Sequence, residues 1–308
     1  MSGTLPLRRE RVDGGAILLL VLLCAIWGLQ QVTVKLAVGG GLPPIAQAAM
    51  RSVLAGSCLL AWTGWRRGGR GIAALLRIDR GCWPGLLAAV LFAGEFLALY
   101  PGLRLTSASR GVLFLYTSPF FVALGAHLLI PGERLRPRQA AGLLVAFAGV
   151  GVAFADGLLA VHASGDPRGD ALCLLGGILW AATTLLVKRS PALSRTDAAR
   201  VLMFQLGGSV PLLALASWLA GETVGFPAVS AVAWVSLAYS GMVVAFASYL
   251  GWFWLVLAYP AGRLAPFTFL TPLFGILAGA LALHETVGVT LLLGAAGVAA
   301  GLYLLNSR

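Results

Sequence analysis

Residues 24–51 read CAIWGLQQVTVKLAVGGGLPPIAQAAMR, and they combine features that a protein folded in water seldom needs. The first apolar run carries polar side chains in its second half, a Gly/Pro turn follows, and the next apolar run contains a charged residue, Arg51. Polar and ionisable side chains inside apolar spans face the protein interior or a wet cavity, because lipid does not solvate them. The stretch therefore predicts a helical hairpin of a membrane protein that builds a polar pocket within itself.

The composition of the whole chain agrees with a lipid environment. Of the 308 residues, 59% are hydrophobic and 11% are charged, and the mean hydropathy is +0.91; soluble proteins carry about 25% charged residues. Apolar runs of about 20 residues can cross a hydrocarbon core of about 30 Å. Each run must pair its own backbone polar groups, and its continuous apolar character differs from the alternation of a barrel strand, so the spans are predicted to be helices.

Ten spans are predicted, and the gaps between them are too short for a soluble domain. The fold class is therefore an all-α integral membrane protein with ten transmembrane helices. The approximate bounds of the predicted spans are 15–36, 44–64, 82–101, 107–130, 138–156, 170–188, 198–220, 231–257, 261–283 and 287–305.

The net charge of +11 follows the predicted topology rather than a nucleic-acid site. Most arginines lie in the short gaps between apolar runs. With the N-terminus inside, 17 of the 22 basic residues fall in inner segments and four in outer segments, with Arg51 left inside a span. Cytoplasmic loops carry such an excess of Lys and Arg. The chain is therefore predicted to be a multi-pass protein of the inner (plasma) membrane with both termini cytoplasmic.

An internal repeat divides the chain into two predicted halves, residues 1–157 and 158–308. Each half holds five spans, an odd number, so the halves must cross the membrane in opposite orientations. Inverted repeats are typical of secondary transporters and place the substrate site near the middle of the membrane. Matched residues lie 153 positions apart, and later 152 apart: Trp27 and Trp180, Lys35 and Lys188, Met50 and Met203, Arg110 and Arg263, Pro119 and Pro272, Glu133 and Glu285, Gly142 and Gly294, and Gly149 and Gly301.

The sequence AIWG at 25–28, followed by Lys35, Pro44 and Arg51, resembles the opening of the EamA-type exporters of the drug/metabolite transporter superfamily. Two later segments, 119–150 with GERL at 132–135 and 272–298 with HET at 284–286, are similar to the end of that family's repeat. The resemblance implies a ten-helix inner-membrane exporter with two inverted five-helix repeats and a central cavity. It leaves the substrate open, since the family handles amino acids, other metabolites and drugs.

Arg51 and Glu95 are the one basic and the one acidic residue well inside a predicted span. A charge at this depth costs at least about 2.5–3.5 kcal/mol on insertion scales, so each is expected to be paired or to line a wet cavity. Both lie about seven residues, roughly 10 Å, below the outer edge, which predicts an Arg51–Glu95 ion pair. Two interpretations stay open: a static pair that docks two helices, or a functional pair that binds a substrate carboxylate or takes up a proton.

Aromatic and polar residues at corresponding positions predict the walls of a pocket. Trp27, Gln30 and Gln31 share one helical face, and Trp180, Thr183 and Thr184 occupy the equivalent face of the sixth span. Plain packing or an interfacial aromatic belt is the alternative. With the charged pair and two tyrosines, the candidate substrate-binding residues are Trp27, Gln31, Arg51, Glu95, Tyr100, Trp180, Thr184 and Tyr249.

Features of the later spans in each half predict gating and packing. Pro119 and Pro272 each free a backbone carbonyl and permit a kink, so they are candidate gating points, although prolines also occur in membrane helices without such a role. Arg110 and Arg263 begin spans four and nine and are expected to reach the membrane interface; the alternative is that they meet an anion, either a substrate carboxylate or a lipid headgroup. The Gly/Ala-rich spans five and ten are expected to pack closely within the chain.

No enzyme motif is present. The three histidines lack metal-ligand spacing, and neither HExxH nor a nucleophile elbow occurs, so the prediction is no catalytic residue, no metal and no cofactor. The pattern favours a secondary transporter that exports a small amino-acid-like or amphipathic metabolite by alternating access. A small-molecule channel and a membrane-embedded enzyme are the alternatives. The expected partners are the substrate and membrane lipid, without nucleic acid; proton coupling and the choice between monomer and homodimer are left open.

Overall fold

The computed structural model describes residues 12–106, 108–155, 166–283 and 289–306, with the side chains of residues 31, 108, 109, 282 and 283 outside the description. Within these residues the protein is all-helical, without strands. This confirms the predicted all-α class.

The helices of the first half follow the predicted spans closely. The fourth predicted span is divided into two helices, because the chain turns at residues 116–117. In order they are α1 (Gly14–Gly39), α2 (Pro44–Leu75), α3 (Cys82–Leu105), α4 (Ala108–Leu115), α5 (Ser118–Leu129) and α6 (Pro137–Ala153).

The second half contains more irregular helices. The eighth predicted span includes a ten-residue π-helix at Tyr239–Ser248, and the ninth includes a 3₁₀ segment at Ala265–Phe269. The α-helices are α7 (Pro167–Arg189), α8 (Pro191–Ser194), α9 (Ala198–Leu219), α10 (Ala231–Ala238), α11 (Tyr249–Ala258), α12 (Ala261–Leu264), α13 (Leu270–Leu283) and α14 (Val289–Asn306).

In the described part of the chain, nine helical segments are long and apolar enough to cross a membrane, and α6 is a shorter apolar helix of 17 residues. Large apolar side chains on several of these segments are exposed, among them Leu18, Leu128 and Val235. An aqueous solvent would penalise that exposure, whereas lipid would not. The structure therefore supports the multi-pass membrane assignment.

The described residues form two compact units, and each draws on both halves of the sequence. The first unit comprises residues 30–97 and 186–258; the second comprises 12–29, 98–185 and 259–306, with the gaps given above. These groupings do not test the predicted boundary between residues 157 and 158, which lies outside the described residues.

In the first unit, the start of α2 is held by a residue from a distant loop. The carboxylate of Glu222 accepts hydrogen bonds from the backbone amides of Ile45 (3.2 Å) and Ala46 (2.7 Å) and from the hydroxyl of Ser217 (2.8 Å). The first amides of a helix have no partner within the helix, and a negative charge there is favourable. Glu222 thereby fixes the end of α2 that leads to Arg51.

In the second unit, α6 and α14 pack backbone against backbone. A Cβ atom on Gly142 would lie 2.7 Å from the carbonyl oxygen of Gly301, and one on Gly149 would lie 2.7 Å from that of Gly294. The contact positions rise along α6 as they fall along α14, so the two helices run antiparallel. The predicted close packing of these Gly-rich spans is confirmed, since only glycine permits this approach.

Candidate substrate-binding site

The first unit contains a buried charge against an aromatic ring. Arg51 on α2 is 2% exposed, and its guanidinium carbon lies 4.2 Å from the centroid of the Phe96 ring on α3. A cation over a ring face is attracted to the ring's electrons, by about 2 kcal/mol or more when water is excluded. Arg51 also interacts electrostatically with Glu95 and Tyr249. We call Arg51, Glu95, Phe96 and Tyr249 the charged cluster.

Phe92 holds the rings of the charged cluster in place. It makes edge contacts with Phe96, at 5.1 Å between centroids, and with Tyr249, at 6.1 Å. Phe92 and Phe96 are one helical turn apart on α3, so both rings project from the same face. Helices α2, α3 and α11 thus each contribute to the cluster, and Phe92 was not predicted from the sequence.

Glu95 is half-buried on α3. The electrostatic interaction with Arg51 agrees with the equal depth predicted for the two residues. A direct ion pair between the carboxylate and the guanidinium stays a prediction. In either arrangement, the cluster offers opposite charges next to an aromatic surface.

Further buried polar atoms of the first unit lack hydrogen-bond partners among the described residues. Among them are both amide atoms of Gln47, Nε2 of Gln205 and the hydroxyl of Ser240. An unpaired buried polar group costs about 1–3 kcal/mol, so such groups commonly face water or a ligand. They give the first unit a polar interior.

The second unit contains the two predicted tryptophans in contact. The rings of Trp27 on α1 and Trp180 on α7 meet edge to face, with centroids 6.4 Å apart and planes at 80°. Tyr116 adds a second edge contact to Trp180, at 5.8 Å. Tyr116 was not predicted, because it lies in the turn between α4 and α5, where the helical pattern is interrupted. We call Trp27 and Trp180 the tryptophan pair.

The other predicted site residues have varied surroundings. The Thr184 hydroxyl donates to the Trp180 carbonyl at 3.2 Å, so its own helix already satisfies it. Tyr100 is half-buried near the end of α3. The side chain of Gln31 lies outside the described residues. Their roles in substrate binding stay predictions.

Pro119 and Pro272 follow breaks in the helical path. Pro119 is the second residue of α5, after the turn at residues 116–117, and Pro272 is the third residue of α13, after the 3₁₀ segment that ends at Phe269. Both prolines are buried. Position 116 corresponds to position 269 in the 153-residue register, so the two breaks occupy equivalent positions. A gating role stays a prediction.

Two polar contacts of the second unit were missed from the sequence. Arg110 forms an ion pair with Asp170, and the Thr106 hydroxyl donates to the same carboxylate at 2.7 Å. Asp170 at the start of α7 is thus a protein partner of Arg110, and the expectation that Arg110 reaches the membrane interface stays a prediction. Elsewhere in the unit, the Tyr259 hydroxyl donates to Asp13 at 2.7 Å. Thr106 and Tyr259 occupy equivalent positions in the register.

No metal site was identified within the described ranges, where no three His, Cys, Asp or Glu side chains come together as ligands. The groups of the charged cluster are of the kind that bind a small molecule reversibly. The guanidinium can accept a carboxylate in two parallel hydrogen bonds, and the rings can accept an apolar group.

Known proteins resemble this chain over nearly its full length. The sequence profile of the EamA-like transporter family matches residues 14–155 and 167–307. The uncharacterized transporter YvbV of Bacillus subtilis is 30% identical over 303 residues, which cover 94% of this chain and 91% of that protein. A probable amino-acid metabolite efflux pump of Escherichia coli is 28% identical over 301 residues, with 96% and 95% covered.

Other similarities concern part of the chain or the fold alone. A riboflavin transporter of Rhizobium johnstonii is 29% identical over 234 residues, which cover 73% of this chain and 71% of that protein. A protein of known crystal structure superposes on this chain with a TM-score of 0.80 at 20% sequence identity. The superposition covers 95% of this chain and 98% of that protein's chain. At that identity, the likeness shows a shared fold.

Proposed function

We propose, since this chain belongs to the EamA-like transporter family, that it is a secondary transporter that exports a small amino-acid-like or amphipathic metabolite. Family and relatives' names point to transport rather than catalysis. The proposed location is the inner (plasma) membrane, and the proposed mechanism is alternating access between its two sides.

The charged cluster is the observation that carries the proposal. A zwitterionic metabolite would place its carboxylate on Arg51 and its ammonium group near Glu95, with its apolar part against Phe96 and Tyr249. A ligand held by opposite charges next to aromatic rings can bind and leave again, which a transporter needs. The similarity to the Escherichia coli protein, a probable amino-acid metabolite efflux pump, supports the same substrate class.

The proposed substrate contacts differ between the two units. In the first unit they are Gln31, Arg51, Glu95 and Tyr249, where opposite charges select the substrate's ends. In the second unit they are Trp27, Tyr100, Trp180 and Thr184, where aromatic surface favours an amphipathic molecule. Exchange of a proton at Glu95 is the proposed coupling reaction.

The topology is proposed as ten spans in two inverted repeats, residues 1–157 and 158–308, with both termini cytoplasmic. The antiparallel contact of α6 and α14 supports this topology. These helices are the fifth span of the first half and the fifth span of the second half, and equivalent spans of inverted repeats run in opposite directions. At about 1.5 Å per residue, the 17 residues of α6 reach roughly 26 Å, near the lower limit for a span. The contact between Trp27 and Trp180 adds support, since equivalent residues meet close to an axis of symmetry.

Gating is proposed to use the equivalent breaks before Pro119 and Pro272. In an inverted repeat, equivalent sites lie toward opposite sides of the membrane, so one break would serve each side. The hydroxyl–carboxylate contacts of Thr106 with Asp170 and of Tyr259 with Asp13 would open and close with them. Such paired local changes are what alternating access requires.

The test is counterflow of radiolabelled amino acids into proteoliposomes, read together with membrane conductance. We expect saturable counterflow that Arg51→Gln lowers strongly and Arg104→Gln leaves unchanged, because Arg104 is an exposed arginine at the end of α3. Non-saturating conductance would instead identify a channel. Counterflow that Arg51→Gln leaves intact would remove the charged cluster from the mechanism.

A further inference from the structure

The connection from the end of α2 to the start of α3 carries a dense positive charge in the first unit. Between residues 65 and 83 there are five arginines and one acidic residue, Asp79. All five arginines are exposed: Arg66, Arg67, Arg70, Arg77 and Arg80. Positive-inside topology accounts for the number of charges, but it does not account for what they face.

Large apolar side chains are interleaved with these arginines. Trp65 is 82% exposed, Ile78 is 91% exposed and Trp83 is 80% exposed. Tryptophan favours the level of the lipid headgroups, because its ring is apolar and its N–H is polar. Basic and aromatic side chains that alternate in this way suit a surface that is half apolar and half anionic. We call residues 65–83 the Arg/Trp surface.

The length of α2 also places the Arg/Trp surface at the level of the lipid headgroups. The helix has 32 residues, about 48 Å at a rise of 1.5 Å per residue, against a hydrocarbon core of about 30 Å. Gly68 interrupts it with φ of +63° and ψ of −166°. The 24 residues before that break already reach roughly 36 Å, so the break and the arginines that follow lie at or beyond the headgroups.

The acidic residues near the Arg/Trp surface already have arginine partners within the first unit. Arg200 on α9 donates to the Asp79 carboxylate at 2.8 Å and to the Arg77 carbonyl at 2.8 Å. The hydrogen bond from Arg200 is the main reason that the pKa of Asp79 lies below its usual range, so the carboxylate stays ionised. Arg67 is paired with Asp197 in the same way.

Two arginines of the Arg/Trp surface have no polar partner among the described residues. Within the described residues, Arg70 and Arg80 make no hydrogen bond or ion pair, while their neighbours are engaged. Arg66 lies over the Trp62 ring at 6.0 Å. The acidic residues nearby are already occupied, so an anion from outside the protein is the partner that fits.

We propose that the Arg/Trp surface binds the phosphate headgroup of an anionic phospholipid, with Arg70 and Arg80 on the phosphate and Trp65 and Trp83 at the boundary between the headgroup and the acyl chains. This role is separate from substrate transport and does not rest on it. The ligand is a lipid rather than free phosphate, because the exposed rings would gain nothing from a soluble anion.

The experiment measures lipid binding to the purified full chain in a neutral detergent. Short-chain phosphatidylglycerol is titrated while the unfolding temperature is followed, since a ligand that binds the folded state raises it. Phosphatidylcholine of the same chain length and glycerol phosphate are the parallel titrations. The variants are R70Q/R80Q, the charge-conserving R70K/R80K, and the control R134Q/R136Q, which removes two exposed arginines from another loop.

We expect phosphatidylglycerol to raise the unfolding temperature, with a midpoint about 30-fold higher in R70Q/R80Q, because each arginine near an anionic surface contributes about a fivefold factor. R70K/R80K should stay within a few-fold of the parent chain, and R134Q/R136Q should match it. An equal midpoint in R70Q/R80Q, an equal loss in R134Q/R136Q, or an equal response to glycerol phosphate or phosphatidylcholine would overturn the proposal.

Discussion

The charged cluster and the tryptophan pair differ in their relation to the internal repeat. Trp27 has an equivalent tryptophan, Trp180, and the two touch. Arg51 and Glu95 correspond by register to Phe204 and Ser248, which carry no charge. The second unit thus keeps a symmetric feature, while the first unit contains one that exists in a single copy.

The uncharged counterparts are occupied by local contacts. The Phe204 ring lies under the guanidinium of Arg200, at 5.3 Å, and against Gly85, where a Cβ would come within 2.4 Å. The Ser248 hydroxyl donates to the Val244 carbonyl at 2.6 Å. Neither side chain needs a ligand. Substrate chemistry is therefore expected from the single-copy charges, and scaffold and shape from the paired residues.

The largest effect is expected at Arg51. Arg51→Gln should lower the counterflow rate about 100-fold, because removal of one partner from a buried charge pair costs about 2–5 kcal/mol. Arg51→Lys should restore only part of the rate, since a lysine cannot lie flat on Phe96 or bind a carboxylate in two bonds. The measurement is initial counterflow at equal protein content. Full activity in both variants would contradict the assignment of substrate chemistry to this cluster.

Glu95 tests whether the single-copy charges also couple transport to protons. Glu95→Gln should raise the apparent Km about tenfold, because a hydrogen bond to a charged group contributes about 1.5–3 kcal/mol, and should abolish accumulation driven by a pH gradient. Exchange of substrate for substrate should persist. Transport is measured with and without the gradient at several pH values. A variant that matches the parent chain at every pH would remove Glu95 from the coupling reaction.

The tryptophan pair should respond symmetrically. Trp27→Leu and Trp180→Leu are each expected to weaken substrate binding about fivefold, within the range of about 0.5–1.5 kcal/mol for an aromatic pair. Trp218→Leu is the control, since that ring is 74% exposed and should tolerate the change. The comparison uses Km values from counterflow. A large effect in one variant and none in the other would show that the pair is symmetric in position only.

The smallest effect concerns stability rather than transport. Gly149→Ala should lower the unfolding temperature by a few degrees, because its Cβ would lie 2.6 Å from the Val298 amide and overpacking costs about 1–3 kcal/mol. Gly151→Ala, on the same helix, has open space within 4 Å and should have no such effect. Thermal unfolding in detergent gives both values. Equal temperatures would mean that α6 and α14 can separate at little cost.

The sequence predicted helix positions well. Predicted starts at residues 44, 82 and 198 are the starts of α2, α3 and α9. Apolar length and Gly/Pro punctuation carry this information, and so does the depth of a lone charge, which brought Arg51 and Glu95 to one cluster. Membrane helices are apolar on all sides, however, so periodicity does not indicate which face meets which neighbour.

Several contacts could not be predicted, because a helix that is apolar on all sides does not show which residues face a neighbouring helix. Asp170 lies at the edge of the predicted span 170–188, and nothing in its neighbourhood pointed to Arg110, which lies 60 residues earlier. Glu222 holds the start of α2 from 176 residues away. The π-helix at Tyr239–Ser248 has no composition that sets it apart from an ordinary apolar span. Each depends on how helices approach one another, which local patterns do not specify.

The glycine contacts of α6 and α14 have a reciprocal form. In the 152-residue register, Gly142 corresponds to Gly294 and Gly149 to Gly301, so exchange of the two halves turns the Gly142–Gly301 contact into the Gly149–Gly294 contact. Two identical subunits related by a two-fold axis meet in the same way. The contact between α6 and α14 therefore has the form of a dimer interface within one polypeptide. Two fragments, cut between the family matches that end at residue 155 and begin at residue 167, would carry complementary faces and are expected to reassemble when they are expressed together.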